Sequence, residues 1–293
     1  MIKRRKPFSA LLLSIIPGLG QIYNGQLRKG LIFLIIDLLV PVIFGLAGIL
    51  NNLNGLVILV VLSISFIVYR MTDGFIQAKK LIDYELKSYN RWYIYLLFAI
   101  ALSIVRIFLD FPTSTGIQTF KISGPSMNST MQPGDRVVAN LNYYNNNQVQ
   151  QGDIVVFNSP QGGIWTFRVV GLPNDSIEIK DGKVYVNGQL NELTVTKEYT
   201  LDNQDVIEYQ EKINPTKTIK TLRDKKNLML VDTQTFEKIR IPDNEYFLMG
   251  DNRDNAYDSR FIGTIKKENI LGRVIYSYWG NASDRINIDF KKE

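Results

Sequence analysis

The stretch Tyr246–Gly263, YFLMGDNRDNAYDSRFIG, decides how the second half of the chain is read. It opens on an apolar, strand-like run, breaks at Gly250 and crowds Asp and Asn into GDNRDN. Asp and Asn side chains bond nearby backbone and tolerate left-handed backbone, so alone this block is an Asx-rich turn following a strand. Outward from it lie RVVANL (136–141), DIVVFN (153–158), TFRVVGL (166–172), SIEIKDGKVYVNG (176–188) and RVIYSYW (273–279). QPGD, QQGD, SPQGG, LPND, KDGK and VNGQ separate them. Short alternating apolar runs bounded by such turns are strands, and the DG and NG pairs mark hairpins. Residues 111–293 therefore read as a mostly β domain. Within it 191–240, more polar and rich in lysine, reads as a β insertion.

The N-terminal third is different. Residues 1–91 hold 11 Lys/Arg against 4 Asp/Glu, whereas 92–293 hold 23 against 24, so the positive charge belongs to the first part. There it flanks apolar runs instead of lining a polar groove, the pattern of membrane topology and not of nucleic-acid binding. Leu31–Leu50, Leu53–Tyr69 and Trp92–Leu109 are three such runs, and each reads as a transmembrane helix. Arg106, near the end of the third, is placed to snorkel to water. Asn51 and Asn52 form a short uncharged loop, while Lys3–Lys6, Arg28, Lys29 and the Arg70–Arg91 segment are basic. The positive-inside rule puts the basic segments in the cytoplasm and everything after Phe111 outside. The expected arrangement is a basic start with a re-entrant or interfacial segment (1–30), three spans (31–110) and the extracytoplasmic domain (111–293).

Two features of this third stay open. Ser9–Tyr23, SALLLSIIPGLGQIY, is short and is broken by Pro17, Gly18 and Gly20; as a span it would turn the basic start outward, so a re-entrant turn is preferred. It has no small-residue cleavage site and leads into further apolar runs, so a removable signal peptide is not expected. Asp37 lies inside the first span. It is either a functional intramembrane carboxylate or an acid facing Asn, Ser or backbone within the helix cluster.

Zero cysteine excludes disulfides, thiol catalysis and thiolate metal sites, and zero histidine excludes a Ser-His pair and imidazole ligands. Hydrolysis by this chain has to use Lys, Asp, Glu, Tyr or a terminus. Against that background three blocks stand together: KISGPSMNSTMQPGDRVVAN (121–140), GDIVVFNSP with FRVVGLPND, and the opening stretch. Jointly, in this order, they resemble the bacterial type I signal peptidases over Lys121–Gly280. The resemblance implies a membrane-anchored protein of the cell envelope, multi-pass here, with a β-rich catalytic domain on the outer face. It implies a Ser/Lys dyad that removes signal peptides from exported or secreted precursor proteins, with no cofactor, no metal and no nucleic acid. Ser126 matches the nucleophile, Met127 the residue after it, and Gly124 a position of the oxyanion pocket. Thr130 also matches. Asp258 and Arg260 match a supporting salt bridge, and Asp251, Asn252 and Arg253 the turn before it. Ser129 and Met131 stand where the family has Pro and Leu, which reads as a mild change.

One departure is not mild. Arg168 matches, but the lysine that should precede it is Phe167, and the serine that should orient that lysine is Ala256. A serine hydroxyl is a weak nucleophile until a base takes its proton, and a benzene ring takes none. Three readings follow: a serine endopeptidase that uses Ser126 with a substitute base, a lysine such as Lys121 or a carboxylate; a non-catalytic homologue serving as chaperone or scaffold in protein export or surface assembly; or an unrelated membrane function centred on the N-terminal helices. An apolar rim near Ile122, Met127 and Trp165 is expected to touch the bilayer.

Overall fold

The computed structural model describes residues 2–226 and 235–292. Residues 227–234 of the expected insertion therefore lie outside the described part. The chain divides into two compact units, Met1–Gly116 and Ile117–Glu293.

The first unit is helical: α1 (Pro7–Leu13), α2 (Leu19–Tyr23), α3 (Leu27–Leu46), α4 (Leu53–Lys80), α5 (Trp92–Phe108) and α6 (Phe111–Thr115). Helices α3 and α4 are each long and apolar enough to cross a membrane, and α5, at 17 residues, is shorter. The segment Ser9–Tyr23 forms two short helices with a turn between them. Gly18 makes that turn with φ 77° and lies so close to Gly30 that a Cβ would meet the Gly30 carbonyl oxygen. Only glycine takes both the left-handed backbone and the contact without strain.

Polar side chains join these helices. Arg70 donates to Asp37 Oδ1 (2.8 Å) and to the Ile15 carbonyl (2.8 Å), and Arg106 donates to Asp37 Oδ2 (2.7 Å). Gln21 donates to the Arg70 carbonyl and to Asp73, which also accepts from Lys29 at 2.6 Å. Three expectations change here. Asp37 faces two arginines instead of Asn, Ser or backbone. Arg106 turns to that carboxylate instead of snorkelling away from it. Arg70 belongs to no basic connection, because α4 runs on to Lys80 and holds Arg70 buried. The helix continues past Tyr69 because charges paired inside the cluster do not end it.

The second unit holds three antiparallel sheets. Its strands are β1 (Ile117–Lys121), β2 (Arg136–Asn140), β3 (Ile154–Asn158), β4 (Ile164–Gly171), β5 (Ser176–Lys180), β6 (Lys183–Val186) and β7 (Gln189–Leu190). They continue with β8 (Glu192–Leu201), β9 (Gln204–Asn214), β10 (Lys217–Asp224), β11 (Phe236–Arg240), β12 (Glu245–Met249), β13 (Ile265–Lys266) and β14 (Ile270–Trp279). Short helices α7 (Tyr143–Asn146) and α8 (Ser259–Ile262) interrupt them. The central sheet runs β1-β2-β14-β3-β4-β12-β13, a second runs β11-β5-β6-β7, and β8–β10 form a sheet of their own. The main core gathers on the central sheet: Val137, Val155, Phe157, Val169, Leu248 and Val274 are buried there, together with Met127 and Phe167.

Replacing Arg70 by leucine leaves Asp37 with Arg106 alone and strands the Ile15 carbonyl. Removing one partner of a buried ion pair costs about 3 kcal/mol or more. Arg70→Leu is expected to lower the unfolding midpoint of the detergent-solubilised protein accordingly, read by circular dichroism in a denaturant titration, while Lys79→Leu on the same helix leaves it unchanged.

Candidate functional site

Ser126 sits on a loop after β1, and Gly124, Met127 and Lys121 line the same cleft of about 240 Å³. Strand β4 supplies the opposite wall through Ile164, Trp165 and Phe167, and Tyr257 enters from the turn after β12. The three sequence blocks thus meet at one place because β4 pairs with β12, with Val169 opposite Leu248 and Arg168 opposite Met249.

Beneath the Ser126 loop lies a fully buried ion pair. Arg168 Nε and Nη2 bind the two oxygens of Asp251 at 2.8 and 2.7 Å, a bidentate geometry. The Thr130 hydroxyl donates to Asp251 Oδ2 at 2.6 Å and accepts from Arg168. The backbone closes the arrangement. Asn252 N donates to the Ser126 carbonyl (3.0 Å), and the Asn252 side chain donates to the Pro125 carbonyl (3.2 Å). The sequence matched Arg168, Thr130 and Asp251 separately, but nothing in their spacing showed that they bind one another.

Asp258 and Arg260 form a second bidentate pair (2.8 Å for both contacts), and Arg260 also caps the Arg253 carbonyl. Asp258 is completely buried and accepts from Gly250 N at 2.9 Å. Gly250 is pressed between Ala256 and the Ser126 carbonyl, where a Cβ would collide with both. This ion pair therefore acts on Ser126 through one backbone step, by fixing the strand end against which the loop rests.

Phe167 is 4 % exposed. Its ring lies 5.7 Å from Phe157 and 6.0 Å from Trp165, the latter edge-on. Ala256 packs against the same core. Among the described residues nothing hydrogen-bonds to the Ser126 hydroxyl. Among the described residues Lys121 is the one amine lining the cleft, and it is exposed at the end of β1. Lys217 is the lysine whose pKa burial pushes down, to about 8, yet it lies against Gly152 and not in this cleft. Among the described residues no group of three His, Cys, Asp or Glu side chains is placed to hold a metal.

Two expectations are corrected. Ile122 and Met127 are buried core residues and form no rim. The exposed apolar edge of the cleft is Ile164 with Tyr257 and Phe261, whose rings stack at 5.2 Å, and Trp165 meets Tyr257 at 6.5 Å. Nor is Ser129 a mild change. Its φ is 91°, whereas the proline usual at that position is locked near −65°. The turn after Ser126 is consequently one that proline could not make, and the Ser129 hydroxyl ties it to the Lys220 carbonyl (3.1 Å) on β10.

The family model described as signal peptidase, peptidase S26 matches residues 90–279, well over half of the chain. This chain belongs to that family. The signal peptidase IB of Staphylococcus aureus strain MRSA252 is 28% identical over 173 residues, 59% of this chain and 83% of that protein. The probable signal peptidase I-2 of Synechocystis is 27% identical over 176 residues, 56% of this chain and 66% of that protein. A crystal structure of a signal peptidase I from Enterococcus faecalis, 26% identical, covers 43% of this chain and 97% of its own, with a TM-score of 0.25.

The Ser129 backbone is directly testable. Left-handed backbone costs a residue with a Cβ about 1 kcal/mol. Ser129→Gly is expected to raise the thermal midpoint slightly, and Ser129→Pro to lower the stability of the β unit by about 3 kcal/mol. A stable Ser129→Pro variant in calorimetry would mean that the loop has a different conformation.

Proposed function

We propose that this chain is a membrane-anchored signal-peptidase homologue that holds the cleavage region of exported precursors without turning it over by the Ser/Lys mechanism. One observation carries the reading: the position of the base is a buried aromatic ring packed between Phe157 and Trp165, beside an alanine that offers no hydroxyl. Acyl transfer from Ser126 requires its proton to go somewhere as the oxygen attacks the peptide carbonyl. The ring has no lone pair for it. Binding groups and oxyanion donors alone leave roughly 10³–10⁴-fold over the uncatalysed rate, far below a processing enzyme.

The rest of the site suits capture. Gly124 and Ser126 border a cleft whose other wall is strand β4, so an extended segment gains strand-like hydrogen bonds there while its side chains enter apolar surroundings. The paired carboxylates Asp251 and Asp258 hold the loop and the strand end rigid, which lowers the ordering cost of binding. In this reading α3, α4 and α5 span the bilayer, the basic ends stay in the cytoplasm and the β unit works outside, as a holdase or scaffold in export or surface assembly. The second reading, a serine endopeptidase with Ser126 as nucleophile, rests on Lys121, which lines the same cleft and is the one amine there to take the proton.

Incubating the full chain with an exported precursor separates the two. Wild type and Ser126→Ala are expected to yield equal, negligible cleavage while both retain precursor on gel filtration. Cleavage by wild type that vanishes in Ser126→Ala and in Lys121→Gln would establish the endopeptidase instead. Phe167→Lys combined with Ala256→Ser is expected to raise Ser126-dependent cleavage by about a hundredfold or more, the usual size of a general-base contribution.

A further inference from the structure

Capture in the cleft leaves the β8–β10 sheet without a part to play, and its position supplies one. The β8–β9 hairpin turns through Asp202 and Asn203, both left-handed with φ of 49° and 64°. With the end of β10, this tip walls a second cavity of about 370 Å³, whose other wall is Pro125 and Asn128 of the Ser126 loop. Ser126 therefore stands between two cavities of opposite character. One is the apolar cleft with Met127, Trp165 and Phe167. The other is lined by three carboxylates, Asp202, Asp224 and Asp254, and among the described residues no lysine or arginine lines it.

The acids alone would not make a site. Asn128 is the independent observation. It is 4 % exposed, and its Oδ1 is buried without a hydrogen-bond donor. An unsatisfied buried acceptor is costly, so this amide oxygen is set to receive a donor from outside the fold. The donor is not a metal, because no three acidic side chains among the described residues are grouped to hold one. Burial also pushes the Asp254 carboxyl above its usual range, although Arg223 and Arg260 on its far side and the Asp224 N–H oppose the shift. A carboxylate so desolvated gains from a further cation arriving through the cavity it lines. Lysine and arginine side chains offer the required combination, several N–H donors and a positive charge at the end of an apolar stem.

We propose that this acidic cavity receives a lysine or arginine side chain of the exported segment, within a few residues of the peptide bond lying at Ser126. The inference rests on the capture reading and adds to it: the apolar cleft accepts the small or apolar residues, and the inserted sheet reads a positive charge next to them. Successive side chains of an extended segment alternate in direction, so one strand crossing the Ser126 loop can serve both cavities.

The test uses the full chain in detergent micelles and fluorescein-labelled synthetic peptides with an apolar stretch ending in small residues. The parent peptide is uncharged in this region. Lys, Ala or Glu is then placed singly at each of the positions flanking the junction, and affinity is read by fluorescence anisotropy at low and high salt. At one position Lys is expected to bind about tenfold tighter than Ala and Glu more weakly than Ala, a difference of the size that close charge pairs produce. Asp202→Asn keeps a residue that accepts the left-handed turn, so the fold is retained. It is expected to reduce the Lys advantage several-fold, and Asp202→Asn with Asp254→Asn to abolish it, with the parent peptide unaffected. If every peptide binds equally well, the inference falls and the capture reading stands. If the Lys preference survives in the double variant, the charge is being read elsewhere and the inference again falls. If no peptide binds, the capture reading fails and takes the inference with it.

Discussion

The carboxylate of Asp251 is the point on which the site is assembled. It lies fully buried under the Ser126 loop and binds the guanidinium of Arg168 from β4, the hydroxyl of Thr130 from the loop and, through its own backbone, Leu222 of β10. Strand and loop are thereby referred to one carboxylate, and the inserted sheet to the backbone carbonyl of the same residue. A buried ion pair contributes little net stability, because desolvating both charges offsets most of their attraction. Its effect is geometric. A carboxylate with two fixed donors tolerates no sliding, so the loop carrying Ser126 has one position relative to β4. The Asp258–Arg260 pair does the same for the strand end at Gly250, with a single backbone N–H between the ion pair and the residue that touches the Ser126 carbonyl.

The strands of the β unit were largely legible in the sequence, because short apolar runs with strong turn residues leave few alternatives, whereas their order in the central sheet, which brings β4 beside β12, was not. The GDNRDN turn was legible as a turn on Asx chemistry alone. What its acids bind was not: Asp251 and Arg168 are 83 residues apart, and no periodicity connects them. The same limit applies to Asp37, whose partners Arg70 and Arg106 come from two other helices. It also explains the end of α4. A charge normally marks the edge of an apolar helix, but Arg70 and Asp73 are neutralised by partners inside the cluster, so the helix passes through them for ten further residues to Lys80. Ser129 shows a different limit. Residue identity told only that proline was absent; the left-handed backbone that makes proline impossible is a property of the folded loop.

The rim of the cleft shows how burial and chemistry separate on a strand. Ile122, Met127 and Trp165 are near one another and all apolar, so they read as one surface. In the fold the first two turn into the core, and the exposed edge is formed by Ile164, Tyr257 and Phe261 from the adjacent strand and turn. A chain of ring contacts, tilted or edge-on from Phe157 through Phe167 and Trp165 to Tyr257 and stacked from Tyr257 to Phe261, links the core to that edge.

The exchange of lysine for Phe167 and of serine for Ala256 is coherent as a pair. A lysine at a site this buried is held against a desolvation penalty that lowers its pKa, which is what makes it a base. It also needs a neighbouring hydroxyl to accept its remaining protons. With Phe167 in place, a serine at 256 would be a partly buried hydroxyl with no amine beside it, and alanine removes that cost. The aromatic ring in turn adds apolar contacts that the amine could not make, so each replacement stabilises the unit in the presence of the other. The supporting ion pairs are different in kind. They position the loop and the strand end through Asp251 and Asp258, so the placement of Ser126 does not depend on the side chain at 167.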